Sequence, residues 1–140
     1  MFKIGAFAII FDAQDRVLLC HRTDFDAWNL PGGGVESGEL PTEGVIREVK
    51  EETGLEAVVE RLIGVYGKPD KDELVFSFIC RAVGGQLSVT NESRECRYFA
   101  LKALPENTLL NHVERIHDAV NLGIETIFRR QNSALKMRKL

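Results

Sequence analysis

The chain has 140 residues, of which 44% are hydrophobic and 28% charged, with a formal net charge of −3. These values describe one domain with a core of its own, and exclude a disordered chain. No apolar run approaches the roughly 20 residues a bilayer span requires. The negative balance argues against a broad basic face for a nucleic acid polymer. The basic residues that do cluster, Arg129, Arg130, Lys136, Arg138 and Lys139, read as a solvated, frayed terminus, with 131–140 as a flexible tail. Cys20, Cys80 and Cys96 are odd in number and lack zinc-finger spacing. Free thiols, a reducing compartment and a cytoplasmic location are expected, since no signal-peptide pattern is present.

Lys3 to Phe11, KIGAFAIIF, is almost wholly apolar and reads as a buried strand. Asp12 to Asp15 is a polar turn and Arg16 to Arg22, RVLLCHR, a second strand, so the two are predicted to pair as a hairpin. The loop that follows holds Pro31, three glycines and Trp28, the only tryptophan, whose ordinary role is packing at a core edge.

Pro41 to Thr53 is predicted to be helical. Proline suits a first helical position because its missing N–H would have no partner there. Val45, Val49 and Thr53, with Ile46 beside them, form an apolar stripe, and Gly54 stands where a left-handed residue ends a helix. Leu55 to Val65 and Glu73 to Val83 are strand-like, separated by the polar break GKPDKD. Gly84 to Gln86 is a turn and Cys96 to Ala100 a short strand. A final helix is expected from Asn111 to Arg130, with Val113, Ile116, Val120, Ile124 and Ile127 on one side. The order of elements predicts a mixed sheet between helices in a single domain spanning 1–130.

The first helix breaks rules of helix stability. Glu48, Glu51 and Glu52 lie three and four residues apart and project from one face. Like charges so spaced cost roughly 0.2–0.5 kcal/mol per pair. Glu51 and Glu52 also occupy the last turn, where the helix dipole disfavours anions. Lys50 points elsewhere, and Arg47 offsets only part of the charge. Local conflict without local compensation is characteristic of functional sites. Hard oxygen ligands on a rigid helix suit Mg²⁺ or Mn²⁺. A solvated acidic surface is the plainer reading of such a cluster, but the glycine-rich loop PGGGVESGE just upstream tips the balance. It offers backbone amides and carbonyls, including that of Gly33, beside the acidic face.

Gly33 to Leu55, GGVESGELPTEGVIREVKEETGL, resembles the Nudix box. Gly33, Glu39, Arg47, Glu48, Val49, Glu51, Glu52, Gly54 and Leu55 fill its constrained positions. The N-terminal strands, the WNLPGG approach, the later RYFALKALP and the C-terminal helix are similar to the family too. The resemblance implies an α/β/α sandwich and hydrolysis of a phosphoanhydride in a nucleoside diphosphate linked to another moiety, with Mg²⁺ or Mn²⁺ as cofactor. It implies that Glu48 and Glu52 bind the metal with Glu51 and the Gly33 carbonyl close by, that Arg47 orients the glutamates, and that Glu39 braces the loop. Leu40 departs from the pattern, standing where many members carry a capping serine.

Glu51 or Glu52 is expected to take the proton of the attacking water. Glu92 and Glu95 on a late loop are either a further metal ligand or base, or ordinary surface acids. Arg22, Trp28 and Glu95 are candidates for contact with substrate, and Lys68, Lys71, Phe25 and Tyr66 weaker ones, with packing or solvation the commoner role of each. Pro69 does not stand at a spacing that marks an ADP-ribose enzyme. The partner expected is a small nucleotide-type molecule, with no membrane, and a homodimer is admitted. A non-catalytic nucleotide sensor with this fold is the alternative, disfavoured because no box carboxylate is missing. A calcium loop is disfavoured because the carboxylates sit on a helix.

Overall fold

The side chains of the first strand alternate between two cores, and this sets the layers. In the computed structural model, which describes residues 1–88, 95–121, 123 and 125–131, the chain runs through β1 (Lys3–Ile10), β2 (Val17–His21), β3 (Trp28–Asn29), β4 (Gly32–Gly34) and α1 (Pro41–Thr53). It continues through β5 (Leu55–Lys68), β6 (Glu73–Gly85), β7 (Cys96–Phe99), α2 (Leu110–Asn121) and β8 (Ile127–Arg130). Ala6, Ala8 and Ile10 of β1 pack with Val45 and Val49 of α1. Ile9 faces the other way, into a core with Leu30, Val113 and Ile116. This is the expected arrangement of a mixed sheet between helices. Among the described residues no helix is long and apolar enough to cross a membrane.

The larger sheet has the order β4-β1-β6-β5-β8, with β1 parallel to β6 and β5 parallel to β8. A second sheet, β3-β2-β7, was not anticipated. It corrects the predicted hairpin. The Asp12–Asp15 turn forms, with Asp12 N–H donating to Arg16 O at 2.9 Å, but the two strands share only a bridge between Phe11 and Val17. Beyond it β1 pairs with β4 and β6, and β2 with β3 and β7.

The predicted final helix is also corrected. α2 ends at Asn121, Val120 is exposed, and Ile127 belongs to β8; Ile124 lies outside the described residues. Gly64, opposite Ile127, makes the pairing close, because a Cβ there would lie 2.8 Å from the Ile127 carbonyl. Arg129 and Arg130 are therefore strand residues rather than part of a frayed end. Arg129 holds Asp118 of α2 through Nη2 at 2.6 Å and Nε at 3.0 Å. The polar break is shorter than expected, since β5 runs through Lys68 and leaves only a turn of 3-10 helix at Pro69–Lys71.

Cys20 and Cys96 stand directly opposite each other on β2 and β7, with Cα atoms 4.1 Å apart, and are joined by a disulfide. This overturns the expectation of three free thiols. Nothing local shows that residues 76 apart in sequence face each other. Cys80 is free and buried, and burial pushes its thiol up to about 12.

Candidate active site

Helix α1 is set by its ends and by one face. Pro41 opens it, and Gly54 closes it in the left-handed region at φ 82°, its N–H donating to Lys50 O at 3.0 Å. Leu40 at the N-cap has no side-chain acceptor. Instead Glu43 Oε1 accepts the Leu40 N–H at 2.8 Å, which supplies half of a capping box. Val45 and Val49 are fully buried, whereas Ile46 stays at the surface.

The buried stripe turns the acidic face against β4. Glu52 is only 5% exposed, and its Oε2 accepts the Gly32 N–H at 3.3 Å. The Glu48 carboxylate lies on Gly33, so close that a Cβ there would sit 2.8 Å from Glu48 Cδ. Glu51 is more open, with 39% of its side chain exposed. Two carboxylates are thus laid on the backbone of a glycine strand, and the third borders solvent.

Arg47 is the hub of this face. Its Nε and Nη2 donate to Glu39 at 2.8 and 3.0 Å, and Nη2 also donates to Gly34 O at 3.0 Å. Nη1 faces Glu48 at 3.1 Å, Glu51 at 3.2 Å and Glu36 at 3.2 Å. The bonds to Glu39 foremost, then those to Glu48 and Glu51, raise the guanidinium above its usual range. Arg47 in turn lowers the Glu39 carboxyl, helped by the Glu36 N–H. The predicted brace, Glu39, is therefore tied to the predicted orienting residue. Glu36 was not foreseen, although it stands three residues before Glu39 and donates its N–H to Glu39 Oε1 at 2.9 Å.

Among the described residues no three acidic, histidine or cysteine side chains are gathered around one point as a metal-binding group. Glu48 and Glu51 turn to Arg47, and Glu52 turns to Gly32. The donor set nevertheless fits a hard divalent cation. It is all oxygen, anionic, borne by one rigid helix and packed on a glycine whose missing side chain makes the room.

The other candidates are more scattered. Arg22 pairs with Asp24 through two bonds of 2.8 and 2.6 Å and lies over the Phe25 ring at 4.6 Å. Trp28 is 9% exposed, packed between His21 and Phe99, with Arg97 6.0 Å from its ring. Glu95 is exposed and holds Arg97 Nε at 2.7 Å. Its neighbour Cys96 brings sulfur to within 3.7 Å of the Glu52 carbonyl, and Ser88 N–H donates to Thr53 O at 3.0 Å. Ser88 and Cys96 thus both meet the last turn of α1; Glu92 lies outside the described residues. Lys68 pairs with Glu73 at 3.4 Å, and Lys71 is exposed. Tyr66 is wholly buried with its hydroxyl on Asp118 at 2.8 Å, which is a packing role.

A mixed sheet between two helices, with an acidic helix laid on a glycine strand, defines a class of fold and site. The model of the NUDIX domain matches residues 1–119. The chain is 38% identical over 104 residues to an ADP-ribose pyrophosphatase of Methanocaldococcus jannaschii, covering 69% of this chain and 62% of that protein. It is 34% identical over 122 residues to a putative 8-oxo-dGTP diphosphatase of Bacillus subtilis, covering 86% and 82%. A NUDIX hydrolase from Nitrosomonas europaea superposes with a TM-score of 0.82 over 94% of this chain and 79% of that one; at 21% identity it speaks for the fold alone. The chain belongs to the Nudix family, and its enzyme class is that of a Nudix-type pyrophosphohydrolase.

Proposed function

We propose that the protein hydrolyses the phosphoanhydride of a nucleoside diphosphate linked to another moiety, a nucleoside triphosphate, nucleotide sugar or dinucleotide, with Mg²⁺ or Mn²⁺ as cofactor. The observation that carries this reading is the seating of Glu48 and Glu52 on the backbone of Gly33 and Gly32. Glu48, Glu52 and the Gly33 carbonyl would hold the cation, with Glu51 at its border. When bound, such an ion neutralises charge on the phosphate oxygens and lowers the pKa of water.

The chain's own residues do the rest. Arg47, fixed by Glu39, sets the directions of Glu48 and Glu51. Glu51 or Glu52 accepts the proton as water attacks phosphorus and the bridging P–O bond breaks. The buried flank of Glu52 limits the water around it. Arg22, Trp28 and Glu95 are assigned to the variable part of the substrate. The names of the relatives, one for ADP-ribose and one for an oxidised deoxynucleotide, agree on the bond cleaved and differ on the rest of the molecule.

The test is cleavage, read by chromatography as nucleotide product formed, of a panel of canonical and oxidised nucleoside triphosphates, ADP-ribose, nucleotide sugars and dinucleoside polyphosphates. Each is assayed with Mg²⁺, with Mn²⁺ and with chelator. Chelator-sensitive cleavage of one class supports the reading and names the substrate. Silence throughout, with tight binding of a nucleotide, would favour a sensor.

A further inference from the structure

The segment Leu30-Pro31-Gly32-Gly33 carries both partners of the acidic helix, so its own anchoring matters. The Pro31 carbonyl accepts the Ala8 N–H at 2.9 Å, and Pro31 has no N–H to place. The Gly32 N–H goes to Glu52. The Leu30 N–H is buried and donates to Nδ1 of His112 at 3.0 Å, across 82 residues of sequence. His112 lies in the first turn of α2, on the side of the sheet opposite α1, and is 5% exposed. Just before it, the Leu109 N–H donates to Trp28 O at 3.0 Å, so the start of α2 grips this stretch twice.

We propose that His112 is a positioning residue of the active site: as a neutral ring with its proton on Nε2, it accepts the Leu30 N–H and fixes the glycine strand on which Glu48 and Glu52 rest. The inference rests on the metal reading given above.

A neutral imidazole has one lone pair in its plane, and two donors approach this ring. Leu30 N is at 3.0 Å, whereas Arg115 Nη1 is 3.4 Å from Nε2, too long for a good bond. Arg115 is held from its other side, by Gln131 Oε1 at 3.2 Å from Nε and 2.9 Å from Nη2 and by the faces of Phe7 and Tyr66 at 5.3 Å, which keeps Nη1 at that longer distance from the ring. The Leu30 amide therefore claims the lone pair. A doubly protonated ring would offer no acceptor and would add a second positive charge beside a fully buried guanidinium. Phe7 packs edge-on to the ring at 5.0 Å and closes the remaining side. Burial first, and then the charges of Arg115, Lys68 and Arg22, hold the ring well below the ordinary histidine range.

Residues that orient metal-bearing groups at one remove commonly cost about 10- to 100-fold in metal affinity when altered. His112→Leu removes the acceptor. His112→Asn keeps one, since its Oδ1 falls near the position of Nδ1. Ring ¹⁵N NMR of the wild-type protein is expected to show the Nε2–H tautomer. Mn²⁺ titration is expected to show about 10-fold or greater weakening in His112→Leu, with most of the loss recovered in His112→Asn. An Nδ1–H tautomer in the wild type overturns the proposal without any need for a folded variant. Wild-type Mn²⁺ affinity in a folded His112→Leu also overturns it, provided that Glu48→Gln weakens binding. If Glu48→Gln binds Mn²⁺ as tightly as the wild type, the metal reading itself fails and the inference falls with it.

Discussion

Arg47 grips Glu39 with two hydrogen bonds of 2.8 and 3.0 Å, which leaves its Nη1 to face Glu48 and Glu51. Lysine cannot reproduce that fork, being a point charge on a flexible stem. Arg47→Lys should therefore behave as a disruptive change, lowering kcat about 10- to 100-fold while the fold persists. Steady-state kinetics and a thermal melt check it, and an unchanged kcat would show that the hub does not orient the glutamates.

Gly33 has room for no side chain, because a Cβ would lie 2.8 Å from the Glu48 carboxyl carbon. Gly33→Ala must push Glu48 off the strand. The expected result is a weakened divalent-ion affinity with a modest change in stability, read by Mn²⁺ titration beside a melt. Gly34 is the control, since a Cβ there meets nothing within 4 Å; Gly34→Ala should bind as the wild type does.

Much of this site was visible in the sequence because it is local. Spacings of three and four on one helix put Glu48, Glu51 and Glu52 on one face whatever the rest of the chain does. What escaped was decided at long range. The strands on either side of the Asp12–Asp15 turn read as a hairpin, and nothing nearby says that β1 will prefer β6, some 70 residues on. The apolar spacing of Val113 and Ile116 continues by coincidence to Ile127, whose real partner is Gly64. His112 and Arg115 are polar residues within an amphipathic helix pattern, yet both are buried.

His112 also predicts a pH dependence of stability. Its folded-state pKa lies well below 6.5, whereas in the unfolded chain it returns to the ordinary value. Below about pH 6.5 the unfolded state thus binds a proton that the folded state refuses. Stability must fall as pH falls, by up to about 1.4 kcal/mol per pH unit, until the folded ring itself titrates. Urea midpoints of wild type and His112→Asn between pH 8 and pH 5 isolate this component. Parallel curves would mean that the ring protonates normally in the folded protein.

The Cys20–Cys96 disulfide ties β2 to β7 beside the last turn of α1. Closing a loop between residues 76 apart restricts the unfolded chain by roughly 4 kcal/mol in the chain-entropy account. A thiol count on the denatured, oxidised protein should find one free group, Cys80, and three after reduction, with a lower melting temperature. Three thiols before reduction would show that the pair is not bonded.

The most direct test of the account is turnover of a cleaved substrate as Mg²⁺ is titrated, in the wild type and in Glu52→Gln side by side. The amide oxygen that Glu52→Gln introduces can still accept the Gly32 N–H, so the fold should hold, and the change removes a negative charge from a crowded face. Wild-type turnover should rise with Mg²⁺ and vanish with chelator, and Glu52→Gln should lose about 100- to 10,000-fold at every Mg²⁺ concentration. Undiminished turnover in the chelated wild type, or in Glu52→Gln, would contradict it.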